Sequence, residues 1–218
     1  MYNTILFDLD GTIIDSGEGI KNSARYAFAK LGFAEPTEEQ LKNFIGPPLI
    51  DSFMHLCNFT REQAAGAVEI YREYYREKGI NQILVYEGIE NLLKKLKASG
   101  KTVVLATSKY ELYAAQIIER LGFSKYFDFI SGSLADGGRG TKAEVIEYAL
   151  ASIGVADKKS AVMVGDRMHD IEGAKAVGID SIGVLFGFGS REELAAHGAT
   201  HIAATPASVY ALIVGEEK

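Results

Sequence analysis

From about residue 86 onward, short apolar runs alternate with helical segments that each stop at a glycine. TVVLAT (102–107), FDFISG (127–132), SAVMVG (160–165) and DSIGVLF (180–186) read as strands. Residues 88–99, 110–121, 141–153 and 169–177 read as helices, stopping at Gly100, Gly122, Gly154 and Gly178. HIAA (201–204) is a weak strand and 206–214 a closing helix. The clearest strands are apolar throughout rather than at every second position. Such strands are covered on both faces, and strands separated by helices run parallel. The pattern therefore predicts an α/β fold with a doubly wound parallel sheet.

One further strand, TILFDL (4–9), lies far from this series. Between them the period is helical. Ile20, Ala24, Ala27, Phe28 and Leu31 recur on one face, TEEQ (37–40) resembles a capping box, and IGPPL (45–49) breaks the helix there. A longer helix starts at Thr60, with Ala64, Ala67, Val68, Tyr71, Tyr74 and Tyr75 as its apolar stripe. The expected organisation is an α/β core of residues 1–15 and 84–218, interrupted by an all-helical insert over 16–83.

Ligands of open α/β sheets bind beyond the carboxyl ends of the strands. The first strand ends in Asp8-Leu9-Asp10-Gly11-Thr12, the second in Thr107-Ser108-Lys109, and a later one in Gly165-Asp166-Arg167-Met168-His169-Asp170. Arg139-Gly140-Thr141-Lys142 stands at a helix start. Four carboxylates after apolar strands are costly to desolvate unless paired or bound to metal. No G-x-S-x-G elbow accompanies His169, and Cys57 is the one cysteine, so neither a serine triad nor a zinc site is indicated. Convergent oxygen ligands favour a hard cation, Mg²⁺ first, and Mg²⁺ with a lysine and hydroxyls suits a phosphoryl group. An aspartate can itself be the nucleophile. An aspartate that attacks cannot also donate a proton to the leaving group, so a second carboxylate must lie close. The chain is expected to bend at Leu9-Asp10, with Gly11 allowing close approach of the backbone.

In order along the chain, DLDGT (8–12), Thr107-Ser108, Lys142 and GDRMHD (165–170) resemble the four motifs of the haloacid dehalogenase superfamily. The likeness spans essentially the whole chain, and the insert resembles that superfamily's helical C1 cap. DGTIIDS (10–16), IGPPL, ATSK (106–109) and GFG (187–189) are similar to phosphoglycolate phosphatase-like members. The resemblance implies a Mg²⁺-dependent phosphatase that hydrolyses a small phosphomonoester through an aspartyl-phosphate. Its first candidate substrate is 2-phosphoglycolate; a 5′-nucleotidase-type phosphatase or a phosphoglucomutase-type isomerase is the alternative.

By the same resemblance Asp8 is the nucleophile and Asp10 the general acid and base. Thr107, Ser108 and Lys142 bind the phosphoryl group. Asp8, Asp10 (through its carbonyl) and Asp166 hold the metal, and Asp170, Gly11 and Thr12 support them. Many relatives place the lysine before a proline; here it stands in RGTKAEV, and Lys109 is its rival. Arg139 and Arg167 are read as solvated, His169 as a loop residue, and Cys57 as a small buried apolar side chain.

The net charge of -6 does not favour nucleic acid or a membrane surface as partner. A single cysteine, no signal-like N-terminus and no spanning apolar run lead to the expectation of a soluble cytoplasmic monomer acting on a small molecule.

Overall fold

The structure, a computed structural model, describes residues 1–134 and 138–215. In chain order the elements begin with β1 (Thr4–Phe7), β2 (Ile14–Asp15), α1 (Gly17–Lys30), α2 (Glu38–Lys42), α3 (Leu49–Cys57), α4 (Arg61–Glu77) and β3 (Leu84–Val85). They continue with α5 (Ile89–Ala98), β4 (Thr102–Tyr110), α6 (Glu111–Arg120), β5 (Phe129–Ser133), α7 (Lys142–Ser152), β6 (Ala161–Gly165) and α8 (Met168–Val177). β7 (Asp180–Val184), α9 (Arg191–Ala196), β8 (His201–Ala203) and α10 (Pro206–Val214) complete the chain.

The chain divides into two compact units, Met1–Ile14 with Val85–Lys218, and Asp15–Leu84. The first holds a six-stranded parallel sheet in the order β5-β4-β1-β6-β7-β8. This is the doubly wound α/β core that the alternating pattern predicts. Because side chains alternate across a strand, each strand serves two layers. Leu6, Val104, Ala106 and Met163 pack with Val145, Ile146, Ala149 and Leu150 of α7 and Ala174 of α8. Ile5, Phe7, Val103, Leu105, Val162 and Val164 point the other way and are equally buried. β1 lies mid-sheet, with Phe7 level with Leu105 of β4 and Val164 of β6. Residues just past Phe7, Leu105 and Val164 therefore emerge at one edge.

The second unit is helical, apart from the ends of β2 and β3 where the chain enters and leaves it. The expected capping box of Thr37 with Gln40 forms, and a second, Thr60 with Gln63, opens the helix expected to start at Thr60. Its core is aromatic: Phe28, Phe44 and Phe53 meet with ring centroids 4.9–6.2 Å apart, and Tyr71 stacks on Tyr75.

Besides the short strands β2 and β3, three features were not anticipated. IGPPL ends one helix, but α3 starts at once from Pro48, because a proline is tolerated where no intrahelical N–H is needed. α9 is short and follows a glycine-rich loop. β4 continues past Thr107 to Tyr110, with an irregularity in its pairing between Ala106 and Tyr110. Among the described residues, no helix is long and apolar enough to cross a membrane.

Candidate active site

Asp8 extends β1 by one residue: its N–H donates to the Val164 carbonyl at 2.9 Å. The chain then turns sharply. The Leu9 carbonyl accepts the N–H groups of Thr12, Ile13 and Ile14 at 2.9–3.3 Å. Gly11 takes φ 82°, a backbone region that L side chains rarely enter, and a Cβ there would collide with the Asp166 carboxylate. The expected bend is thus present, and it sends the neighbouring carboxylates to different partners.

The Asp8 carboxylate faces Lys142, whose Nζ lies 2.9 Å from Asp8 Oδ1 and 2.8 Å from Asp170 Oδ1. The same ammonium donates to the Ala106 carbonyl at 3.2 Å, one residue before Thr107. Lys142 is the first residue of α7, whose N-cap Thr141 forms a capping box with Glu144, so the cap sets where the lysine stem leaves the helix. Asp170 lies in the first turn of α8 and accepts the Arg167 N–H at 3.1 Å. Asp166 follows β6; its Oδ2 accepts the Phe188 N–H at 2.7 Å, and Thr12 Oγ1 lies 3.5 Å from its Oδ1.

Asp8, Asp166 and Asp170 are all buried and each can offer an oxygen within 4.8 Å of the others. Lys142 pairs with two of these three carboxylates, Asp8 and Asp170, so the group carries an excess of negative charge. Burial pushes the Asp8 carboxyl up to about 6; Lys142 opposes this, while Asp170 and Asp10 add to it. Burial likewise holds Asp166 well above the usual carboxylate range, reinforced by Asp170 and Asp8 and opposed by the Phe188 N–H and Arg167. For Lys142 burial acts against the charge, but Asp170 and Asp8 more than offset it and the ammonium is held above its ordinary value. A divalent cation among three buried oxygen donors would remove the imbalance, and the all-oxygen set suits a hard cation.

Asp10 belongs to a second pairing. Lys109 Nζ reaches both of its carboxylate oxygens at 2.8 Å. Thr107 is buried, and its Oγ1 accepts the Lys109 N–H at 3.2 Å; Ser108 is half-buried beside it. The two lysines the sequence set as rivals thus serve different carboxylates.

Several expectations need correcting. Arg139 is not solvated: it is buried, pairs with Glu111 at 2.6 Å and lies over the Tyr148 ring at 3.9 Å. Arg167 pairs with Glu193 at 2.9 Å. His169 sits within α8 rather than in a loop; its Nε2 is buried without a hydrogen-bond partner, and burial lowers its pKa. Cys57 is half-buried, and burial raises its thiol pKa.

In the loop after β7 the sequence marked GFG (187–189) only as a family-like motif, and its contacts with the site emerge from the structure. Gly189 carries no side chain where a Cβ would strike the Asp166 carbonyl, and Glu193 accepts the N–H of Met168 as well as Arg167 Nε. Two glycines flanking an aromatic residue after a strand were the available signal.

A parallel α/β sheet with buried carboxylates and a lysine gathered at the carboxyl edge of its central strands defines the class of haloacid dehalogenase-type hydrolases. The family model described as Haloacid dehalogenase-like hydrolase matches residues 5–184, and the chain belongs to that family. It is 44% identical to a 5′-nucleotidase from Pseudomonas aeruginosa over 208 residues, 95% of this chain and 94% of that one. To tyrosine-protein kinase PtkA from Mycobacterium tuberculosis it is 37% identical over 185 residues, 85% of this chain but 62% of that one. The crystal structure of a "predicted phosphatase" from Clostridium acetobutylicum superposes with a TM-score of 0.95 at 43% identity, covering 99% of both chains. The protein is a phosphatase, a phosphoric monoester hydrolase of this family.

Proposed function

We propose that the chain is a Mg²⁺-dependent phosphatase of small phosphomonoesters that works through an aspartyl-phosphate on Asp8. Nucleoside 5′-monophosphates stand ahead of 2-phosphoglycolate as substrates. The observation that carries the reading is the buried Asp8–Lys142–Asp170 chain beside Asp166, with the Lys109–Asp10 pair two residues along. The order of substrates rests on the extent of the likeness to the 5′-nucleotidase, which covers nearly all of both chains.

In the first step an Asp8 oxygen forms a bond to phosphorus as the bond to the leaving oxygen breaks, and Asp10 gives that oxygen its proton. In the second step a water oxygen adds to phosphorus, its proton passes to Asp10, and the Asp8–phosphorus bond breaks. Thr107 and Ser108 donate to the phosphoryl oxygens, and Lys142 offsets the charge that Asp8 and the phosphoryl group bring together. Asp8, Asp166 and the Asp10 carbonyl would hold Mg²⁺, with Asp170 in support. When bound, the cation neutralises charge on the phosphoryl oxygens. Asp170 meanwhile keeps the Lys142 ammonium beside Asp8.

A phosphate-release panel containing nucleoside monophosphates, 2-phosphoglycolate and both glucose phosphates tests the reading, with EDTA and then Mg²⁺ added back. Release from nucleoside monophosphates that stops with EDTA and returns with Mg²⁺ is expected. Activity indifferent to EDTA would remove the metal from the scheme, and preference for 2-phosphoglycolate would reverse the substrate order.

A further inference from the structure

Lys109 has no role in the scheme above, yet it is as deliberately placed as Lys142. Its side chain is 8% exposed and that of Asp10 is 14% exposed, so both charges are largely removed from water. A buried lysine must be paired to remain charged, and here both Asp10 oxygens lie at the same 2.8 Å from its ammonium. Two equal contacts fix the plane of the carboxylate as well as its position.

The backbone explains how a residue 99 positions away reaches Asp10. β4 does not end at Thr107 but continues to Tyr110, and its pairing with β5 is irregular over just this stretch. There the Thr107 hydroxyl accepts the Lys109 N–H, tying the residue expected to hold the phosphoryl group to the one that holds Asp10. Asp10 itself stands beside Gly11, whose left-handed backbone brings no side chain of its own to brace the carboxylate.

We infer that Lys109 is a positioning residue that holds the Asp10 carboxylate at the leaving-group side of the site. This rests on the reading of Asp10 as general acid and base. It gives each carboxylate of DLD its own cation: Lys142 for the one that attacks, Lys109 for the one that moves protons. A proton donor displaced by about 1 Å can lose on the order of a hundredfold in rate, most where the leaving oxygen most needs its proton.

The test compares adenosine 5′-monophosphate, whose leaving group is an alkoxide, with 4-nitrophenyl phosphate, whose leaving group departs without help. Lys109→Met and Lys109→Gln should each lower kcat on the first by about tenfold or more beyond their effect on the second, with KM little changed. Lys109→Arg, which can still grip both oxygens, should recover part of the difference. Equal losses on both substrates, with a raised KM and weaker inhibition by inorganic phosphate, would overturn the inference and make Lys109 a phosphate ligand. Asp10→Asn run in parallel separates the two ideas. If Asp10→Asn shows no leaving-group dependence, the acid and base assignment itself fails. If Asp10→Asn shows it and the Lys109 variants do not, the inference about Lys109 alone fails.

Discussion

The α/β unit and the helical unit solve the problem of an interior in opposite ways. Asp8, Arg139, Lys142, Asp166 and Asp170, the buried charged side chains among the described residues, all belong to the α/β unit. The helical unit buries no charged side chain; its buried polar groups are the serines Ser16, Ser23 and Ser52, and its centre is phenylalanine and tyrosine. Burying apolar surface stabilises directly, whereas burying charge is favourable only when partners are supplied. One unit is therefore organised by packing, and the other tolerates an electrostatic strain that the proposed scheme assigns to a substrate phosphate and a cation.

The sharpest way to break this contrast is Asp8→Asn. Turnover should fall by a factor on the order of 10⁴ or more while circular dichroism stays native, because in the proposed scheme the carboxylate oxygen is the attacking atom. An active Asp8→Asn protein would move the chemistry elsewhere. In the helical unit, Phe53→Ala should cost about 3–5 kcal/mol through the cavity left against Phe28 and Phe44. Hydrogen exchange should then rise in Gly17–Lys30 and Arg61–Glu77 while the strands of the α/β sheet stay protected. Equal loss of protection in both units would show that they do not unfold separately.

The pH dependence sharpens the electrostatic side. The Asp8 carboxyl is raised from 3.8 to about 6, so between those values the folded state binds more protons than the unfolded chain. The metal-free protein should therefore lose on the order of 1–3 kcal/mol as pH rises through that window, with Asp166 acting in the same direction. Urea unfolding in EDTA at several pH values would measure it, with Asp8→Asn as the reference that lacks the Asp8 contribution. Saturating Mg²⁺ should flatten the slope; a slope of opposite sign in EDTA would contradict the buried excess charge. The smallest expected effect is Thr60→Ala, which removes the capping box of α4 and should cost about 1 kcal/mol with no change in kcat.

Much of this architecture was legible in the chain. The apolar runs from TVVLAT onward are strands of a parallel sheet, the TEEQ capping box forms, a helix starts at Thr60, and α10 has the expected bounds, because these depend on local periodicity and end chemistry. The continuation of β4 through Ser108 to Tyr110 was not, since nothing local distinguishes a strand that ends from one whose pairing becomes irregular. Arg139 was misread for a similar reason. Its partners Glu111 and Tyr148 lie on two different helices, α6 and α7, and only packing brings them to it.

By itself the sequence determined which chemistry the chain can hold: four aspartates, two lysines and paired hydroxyls at the ends of apolar strands. That inventory follows from side-chain type and strand position alone. Which lysine meets which aspartate was decided by the tertiary structure. The turn after Leu9 sends Asp8 and Asp10 apart, β4 and α7 bring Lys109 and Lys142 to them from distant parts of the chain, and Coulomb attraction acts only between groups that the fold has made neighbours.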